Sequence, residues 1–299
     1  MIDGTNLELP NEKALTAHFG QATGGAKSFK DYMTMACGSV CYDVLNNLSW
    51  DMIIAPYASS ERELATQHLE NLMASPVPDM ASLSSSLRTH NREIIMLFDR
   101  GYPSFKLFIE LLGQMIGFVC RSPKDFCTEM DTFVASDSMD SLVEIKLNTK
   151  DRHYGSLYPL FKAGQVVPDS ITLRFIKIPL STGETEYLIT DRCDNKEFLY
   201  SDFDTLYSLR WGGETQYDYL KNTLEIENLS GKLVNSVLQD AYSRQLSANI
   251  CHLMIAEAQV ILDEKKGDNS VKQDEIDPVI DPVLVEVKEV EKKKKNNSL

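Results

Sequence analysis

The stretch Glu93-Ile-Ile-Met-Leu-Phe98 is an almost wholly apolar run that stops at Asp99-Arg100-Gly101-Tyr102-Pro103. A short apolar run closed by turn residues reads as a buried strand. Ser104 to Met115 follows with Phe105, Phe108, Leu111 and Leu112 at helical spacing, and Gly117-Phe-Val-Cys-Arg121 reads as the next strand. Strand, amphipathic helix and strand in succession place the chain in the α/β class. An acid at the C-terminal end of a buried strand, just before a glycine turn, is a common active-site position in open α/β sheets. Asp99 is therefore a candidate functional residue, although a plain cap for the next helix uses the same residue type. Arg121, at the end of the following strand, is placed to face the same site or to form a surface ion pair.

Upstream, Met35 to Leu45 and Trp50 to Tyr57 carry strand-like runs, the second closed by a proline before the tyrosine. Ser60 and Glu63 form a capping-box pattern that opens a helix, with Leu64, His68, Leu69, Leu72 and Met73 on one face and Pro76 ending it. His68 on that face reads as a packed core residue. Between residues 122 and 200 helical periodicity fades. Strand-like runs appear there at Leu142–Leu147, Ile171–Ile178 and Glu186–Thr190, with Pro179 to Gly183 as a hairpin-type loop. Ile171, Leu173, Phe175 and Ile176 break strict alternation, which implies a strand covered on both faces. Residues 203–226 read as one helix, Leu229-Ser-Gly-Lys232 as a turn, and residues 233–262 as one or two helices. Leu233, Val237, Ala241, Leu246, Ile250, Leu253, Ile255 and Ile261 are the positions expected to pack against the sheet. Beyond Asp263 the composition shifts to Asp, Glu, Lys, Asn and Pro, the signature of a solvated tail.

Composition narrows the partners. The net charge is −14, from 30 Lys and Arg against 44 Asp and Glu. That balance excludes a broad DNA-coating surface and leaves room only for a local basic channel. The six cysteines are scattered without a Cys-x2-Cys pair, so they read as free thiols of a reducing, cytoplasmic compartment. No apolar run approaches the roughly 20 residues that span a bilayer, and no signal peptide opens the chain.

The segment Tyr207-Ser-Leu-Arg210-Trp-Gly-Gly-Glu214-Thr-Gln-Tyr-Asp-Tyr-Leu-Lys221 places Tyr207, Arg210, Glu214 and Lys221 at offsets 0, 3, 7 and 14. On a continuous helix these fall within roughly 60° of one another. Leu206, Leu209, Tyr217, Leu220 and Leu224 form an apolar stripe beside them. The same spacing also fits a solvated face with an ordinary Arg210–Glu214 pair. Gly212-Gly213 is unusual in a helix interior, where each glycine costs about 1 kcal/mol. Either a close backbone approach or a local fraying is expected there.

Tyr-x2-Arg-x3-Glu-x6-Lys, with Leu206 to Trp211 and Leu229 to Lys232 around it, resembles the signature of DDE transposases of the insertion-sequence-four type. Asp99-Arg-Gly-Tyr resembles the second catalytic motif of that family. Ile2-Asp3-Gly4-Thr5 followed by Leu7-Glu-Leu-Pro-Asn11 resembles the first, in which the Asp ends the first core strand. The resemblance covers residues 1 to about 260. It implies an α/β fold with an RNase H-like mixed sheet flanked by helices, interrupted by a β-rich insertion between the second Asp and the catalytic Glu. Residues 1–121 would form the first part of the core, 122–200 the insertion, 201–262 the second part with the Glu helix, and 263–299 a disordered charged tail.

The function implied is metal-dependent DNA strand cleavage at transposon ends and strand transfer into target DNA. Asp3, Asp99 and Glu214 would be the catalytic, metal-binding carboxylates. Their hard oxygens suit two Mg²⁺ or Mn²⁺ ions about 3.5–4 Å apart. Tyr207, Arg210 and Lys221 would touch the DNA backbone, which positions a duplex without reading its sequence. The implied partners are double-stranded DNA and a second copy of the chain in the DNA complex, with nucleoid association when DNA is bound. In some relatives an insertion Trp stacks on a flipped base. Residues 122–200 contain no Trp, and Tyr154, Tyr158 and Phe161 are the aromatic substitutes. Only two residues precede Asp3, so most of the first strand and the family's N-terminal helical domain are expected to be missing. An inactive remnant that binds DNA or dimerises, and an RNase H-like nuclease without strand transfer, are the alternatives.

Overall fold

The computed structural model describes residues 1–22, 33–74, 94–147 and 154–269. It contains two compact units, Met1–His252 and Leu253–Leu299. In the first unit, β1 (Ile2–Glu8), β2 (Met35–Asp43) and β3 (Leu48–Pro56) form an antiparallel three-stranded sheet in that order. Helix α1 (Lys13–Phe19) lies between β1 and β2 in sequence, and α2 (Glu61–Ala74) follows β3. Pro76, expected to end α2, lies outside the described residues.

The apolar run that ends at Phe98 forms β4 (Ile95–Phe98), and α3 (Phe105–Gly113) and β5 (Gly117–Arg121) follow it. Ser104 caps α3 by accepting from the Leu107 amide at 3.2 Å. β4 and β5 are parallel. The chain continues through α4 (Thr128–Ala135), β6 (Asp140–Lys146), α5 (Tyr154–Lys162), β7 (Ser170–Pro179) and β8 (Thr185–Thr190). The second sheet has the order β4-β5-β8-β7-β6, and β1 approaches β4 at its edge. The three strands within residues 122–200 therefore extend the sheet of β4 and β5 through the β5–β8 pair, and two helices are interspersed among them.

Alternation along the strands divides the core between two faces. Met96 and Phe98, Phe118 and Cys120, and Leu173 and Phe175 pack with Ala65, Leu69, Phe108, Met130 and Leu157 of the helices α2 to α5. Leu97, Val119, Ile176 and Leu188 point the other way, to Leu15, Phe19, Phe203, Tyr207, Val237 and Ala241, joined by Leu7, Val40 and Met52 of the first sheet. Phe108 stacks on Phe118 at 4.6 Å between centroids. β7 is covered on both faces, as its broken alternation implied.

The segment expected to be one helix over 203–226 is instead α6 (Asp202–Ser208), a turn at Leu209-Arg210, α7 (Trp211–Asp218) and a π-helical turn (Tyr219–Thr223). Its apolar stripe packs as the spacing implied: Leu220 is buried, and Leu206, Leu209, Tyr217 and Leu224 are partly buried in the same cluster. The space around Gly212 is ordinary, with Val44 no closer than 3.9 Å to an added Cβ, so no close approach explains that glycine. The irregularity falls at Leu209-Arg210 and Tyr219–Thr223, on either side of the glycines.

Helix α8 (Val234–Asn269) departs further from expectation. Within the first unit, Val237, Ala241, Gln245 and Ala248 are the buried positions, while Leu246 and Ile250, and Leu233 just before the helix, are 60%, 49% and 63% exposed. The docked stripe is small and polar because the helix is fastened by hydrogen bonds. Arg244 donates to the carbonyls of Leu224 at 2.8 Å and Asn228 at 2.7 Å. Asn249 bridges the Ser49 amide at 2.9 Å and carbonyl at 2.8 Å. In the second unit, Leu253, Ile255 and Ile261 are exposed. The helix runs on to Asn269, past the point at which a tail was expected, and residues 270–299 lie outside the described residues. No helix among the described residues is long and apolar enough to cross a membrane. All six cysteines are free thiols.

Candidate active site

Asp3 stands at the second position of β1, paired with Val40, and the strand continues for five residues beyond it to Glu8. It does not end the strand, contrary to the expectation from the motif. The run Thr5 to Glu8 pairs in register with β2 and carries the strand onward. Gly4 donates its amide to Asp3 Oδ1 at 2.9 Å. Asp99 follows directly on β4, at the C-terminal end of the strand as the sequence implied. Because β1 approaches β4, the two acids belong to neighbouring strands. Burial raises the Asp3 carboxyl to about 6, the Gly4 amide and the Arg210 charge oppose the rise, and Asp99 and Glu61 add to it.

The interrupted helical segment lies over this edge and is tied to both strands. The Tyr207 hydroxyl reaches Asp99 Oδ1 and the Phe98 carbonyl, each at 3.4 Å. Tyr217, one turn past Glu214 on α7, donates to the Asp3 carbonyl at 2.5 Å. Lys221, in the π-helical turn, donates to the Asn6 carbonyl at 2.8 Å and lies 3.6 Å from Glu227. The backbone of α7 is thereby held at β1, although the Glu214 side chain itself lies outside the described residues. Tyr207 and Arg210, expected on a solvent face, are 3% and 4% exposed. Arg210 packs its guanidinium over Trp211, 4.5 Å from the ring centre, and over Tyr207 at 5.7 Å. Burial pushes the Tyr207 phenol well up, which keeps it a hydrogen-bond donor.

Several residues outside the three motifs belong to the site. Arg121 is 3.8 Å from Asp99 and 3.3 Å from Glu186, so both of its expected roles are filled at once. Glu61, in the first turn of α2, enters the electrostatics of Asp3. His68 is fully buried, as expected of a core residue, and its ring joins Asp51 at 2.7 Å to Ser39 at 2.9 Å. Ser39 in turn reaches the Asp3 carbonyl at 3.3 Å. This Ser–His–Asp row resembles a hydrolytic triad, but Ser39 and His68 are wholly enclosed, so no substrate reaches the hydroxyl. Its role is to brace β1 from the side opposite Tyr217. Tyr217→Phe is expected to cost about 1 kcal/mol, the worth of one buried hydrogen bond. A lowered urea midpoint at unchanged slope would register that loss.

The oxygen donors here are of the type that binds Mg²⁺ or Mn²⁺. Among the described residues, no three His, Cys, Asp or Glu side chains already converge tightly enough to hold an ion. Tyr158 and Phe161, the aromatic substitutes, are 54% and 38% exposed on α5, and the Tyr154 side chain lies outside the described residues.

No family model matches the chain, and no curated protein does. Among solved structures the chain is similar to piggyBac transposase in a synaptic complex with hairpin DNA, at 10% identity and a TM-score of 0.47. The match covers 83% of this chain and 45% of that one, so the chain spans less than half the length of that neighbour.

Proposed function

We propose that this chain is the catalytic core of a DNA transposase of the DDE type, cutting a strand at an element's end and joining the freed 3′-hydroxyl to target DNA. One observation carries the reading: β1, which bears Asp3, lies beside β4, which Asp99 follows, and the helix bearing Glu214 is hydrogen-bonded to the Asp3 carbonyl through Tyr217. Strand adjacency and this hydrogen bond support a common site for the three motif positions. The strand order supports an RNase H-like core: antiparallel β1-β2-β3 beside parallel β4 and β5. The insertion-sequence-four assignment rests on the motif spacing. Asp3, Asp99 and Glu214 would hold Mg²⁺ or Mn²⁺. When bound, such ions activate an attacking oxygen and stabilise the leaving one.

The chain's own residues orient this chemistry. Tyr217 and Ser39 fix the Asp3 backbone, Tyr207 and Arg121 steady Asp99, and Arg210 offsets the negative charge. Lys221, the most exposed of the three motif residues assigned to DNA, would meet the phosphate backbone. Double-stranded DNA is the substrate, two copies of the chain would join two ends, and the cytoplasm is the compartment. A second reading is a protein that occupies DNA through the part-exposed Lys221 without cutting it.

Incubation of the purified chain with supercoiled plasmid, a 3′-hydroxyl-ended duplex and Mn²⁺ separates these. Joined products that vanish in EDTA and with Asp99→Asn are expected. Nicked plasmid without joined product would leave only a nuclease, and DNA retention without nicking would leave only a binder.

A further inference from the structure

The N-terminal end of α2 opens onto the same edge. A Cβ built on Gly4 would lie 2.9 Å from Glu61 Oε1, and one built on Gly101 would lie 3.3 Å from Glu61 Oε2. The Glu61 carboxylate thus lies between the residue after Asp3 and the second residue after Asp99, in space that exists because both positions are glycine. Among the described residues it has neither a hydrogen bond nor an ion pair. Its neighbour Arg62 donates to the Gly101 carbonyl at 2.8 Å and, among the described residues, is not paired with Glu61. Glu61 is exposed to water yet adds to the rise of the Asp3 carboxyl, and two neighbouring carboxylates repel unless something positive joins them. Arg210, Arg121 and Arg62 are outnumbered here by Asp3, Glu61, Asp99 and Glu186 before Glu214 is counted.

A second, independent observation comes from Tyr102. It is 1% exposed, its ring rests on Phe98 at 5.5 Å, and among the described residues its hydroxyl has no hydrogen-bond partner. Asp3 and Glu61 are the charged groups closest in influence to that hydroxyl. A buried donor without an acceptor costs about 1–3 kcal/mol, and it faces the space those carboxylates border.

We propose that Glu61 is a fourth carboxylate of the site, sharing a divalent cation with Asp3, and that the Tyr102 hydroxyl bonds the oxygen shell around that cation. The inference rests on the metal-dependent reading above and adds to it a ligand from α2 that the motif resemblance does not include. Cation binding draws Glu61 and Asp3 together across Gly4, and a side chain at position 4 or 101 blocks that approach.

The test uses the full chain with Mn²⁺ alone, read by titration calorimetry and by the Mn²⁺-dependent rise in melting temperature. Parent, Glu61→Gln, Asp3→Asn and Glu63→Gln are compared, with circular dichroism in EDTA as the check of folding. Glu61→Gln is expected to weaken Mn²⁺ binding roughly tenfold or more, at least the loss typical of an outer-sphere partner. Glu63→Gln, two residues further along α2 and exposed like Glu61 but not placed against Gly4 and Gly101, is expected to bind as the parent does. Should the parent bind, Asp3→Asn fail and Glu61→Gln bind normally, the role of Glu61 is overturned while the metal-dependent reading stands. Should the parent neither bind Mn²⁺ nor nick DNA, the reading of the site falls and takes this inference with it.

Discussion

Asp3→Asn is expected to melt above the parent at pH 7 in metal-free buffer, to lose that advantage by about pH 4, and to yield no joined DNA. Burial is the main cause, with Asp99 and Glu61 adding to it, and together they raise the Asp3 carboxyl to about 6 against an ordinary 3.8. Between those values the folded chain binds more protons than the unfolded one, so stability falls as pH rises through the window. Below about pH 4 both states are protonated and the group costs nothing. Above about pH 6 the cost is complete, at about 2 kcal/mol from a shift of this size at a mostly enclosed side chain. Asn keeps the acceptor for the Gly4 amide and removes the charge. For a chain of this length about 2 kcal/mol corresponds to roughly 4–8 °C in melting temperature. Added Mn²⁺ should close the gap by stabilising the parent and not the variant. Identical melting curves for the two proteins at pH 4 and pH 7 would remove the electrostatic account of the site. A gain in stability that accompanies loss of chemistry is the pattern expected where like charges are gathered for a ligand.

How far the sequence announces this arrangement depends on which residues carry it. β4, α3 and β5 were legible because Phe98, Phe105, Phe108 and Phe118 obey the strand and helix periods on which such reading depends. His68 was legible as a core residue for the same reason. The segment from Tyr207 to Lys221 was legible in its apolar stripe and not in its polar one. The angular argument presumed an unbroken helix, whereas a turn at Leu209-Arg210 and a π-helical turn at Tyr219–Thr223 rotate the polar residues onto β1 and β4. Wider helical turns of this kind occur often at functional sites, and no propensity scale marks them. α8 misled because Leu246 and Ile250 follow a helical spacing that belongs to the undocked side, while Arg244 and Asn249 hold the docked side through hydrogen bonds. Nothing in the sequence sets Glu61 apart, because the helix dipole alone explains an acid in a first turn. Only the approach of Gly4 and Gly101 distinguishes it, and that is a property of three segments brought together.

Arg174→Ala is expected to cost about 3–5 kcal/mol, the range for leaving one member of an enclosed ion pair without its partner. Arg174 lies in β7 at 1% exposure and forks onto Asp140 of β6, with Nε to Oδ1 at 2.8 Å and Nη2 to Oδ2 at 2.5 Å. Its remaining nitrogen donates to the carbonyls of Phe198 at 2.7 Å and Arg192 at 3.3 Å, and its plane sits 5.0 Å from the Phe203 ring. One guanidinium thus closes the β6–β7 pair and fastens the segment that leads into α6. Truncation strands two carbonyls and the Asp140 carboxylate as well as opening a cavity, which places the loss above that of any single hydrogen bond. Arg174→Met restores the packing of the stem without the donors and should recover part of the loss, while Arg174→Lys, a point charge without the fork, should not recover all of it. The damage should spread toward the site. Phe203 and Tyr207 share the face of α6 that packs on the sheet, so amide exchange from Asp202 to Ser208 should rise more than that of β4. A Tyr207 held less firmly leaves Asp99 to Arg121 alone, and strand cleavage should then fall even at temperatures where the variant remains folded. Unchanged exchange in α6 beside a large drop in the urea midpoint would confine Arg174 to the sheet and break its link to the carboxylates.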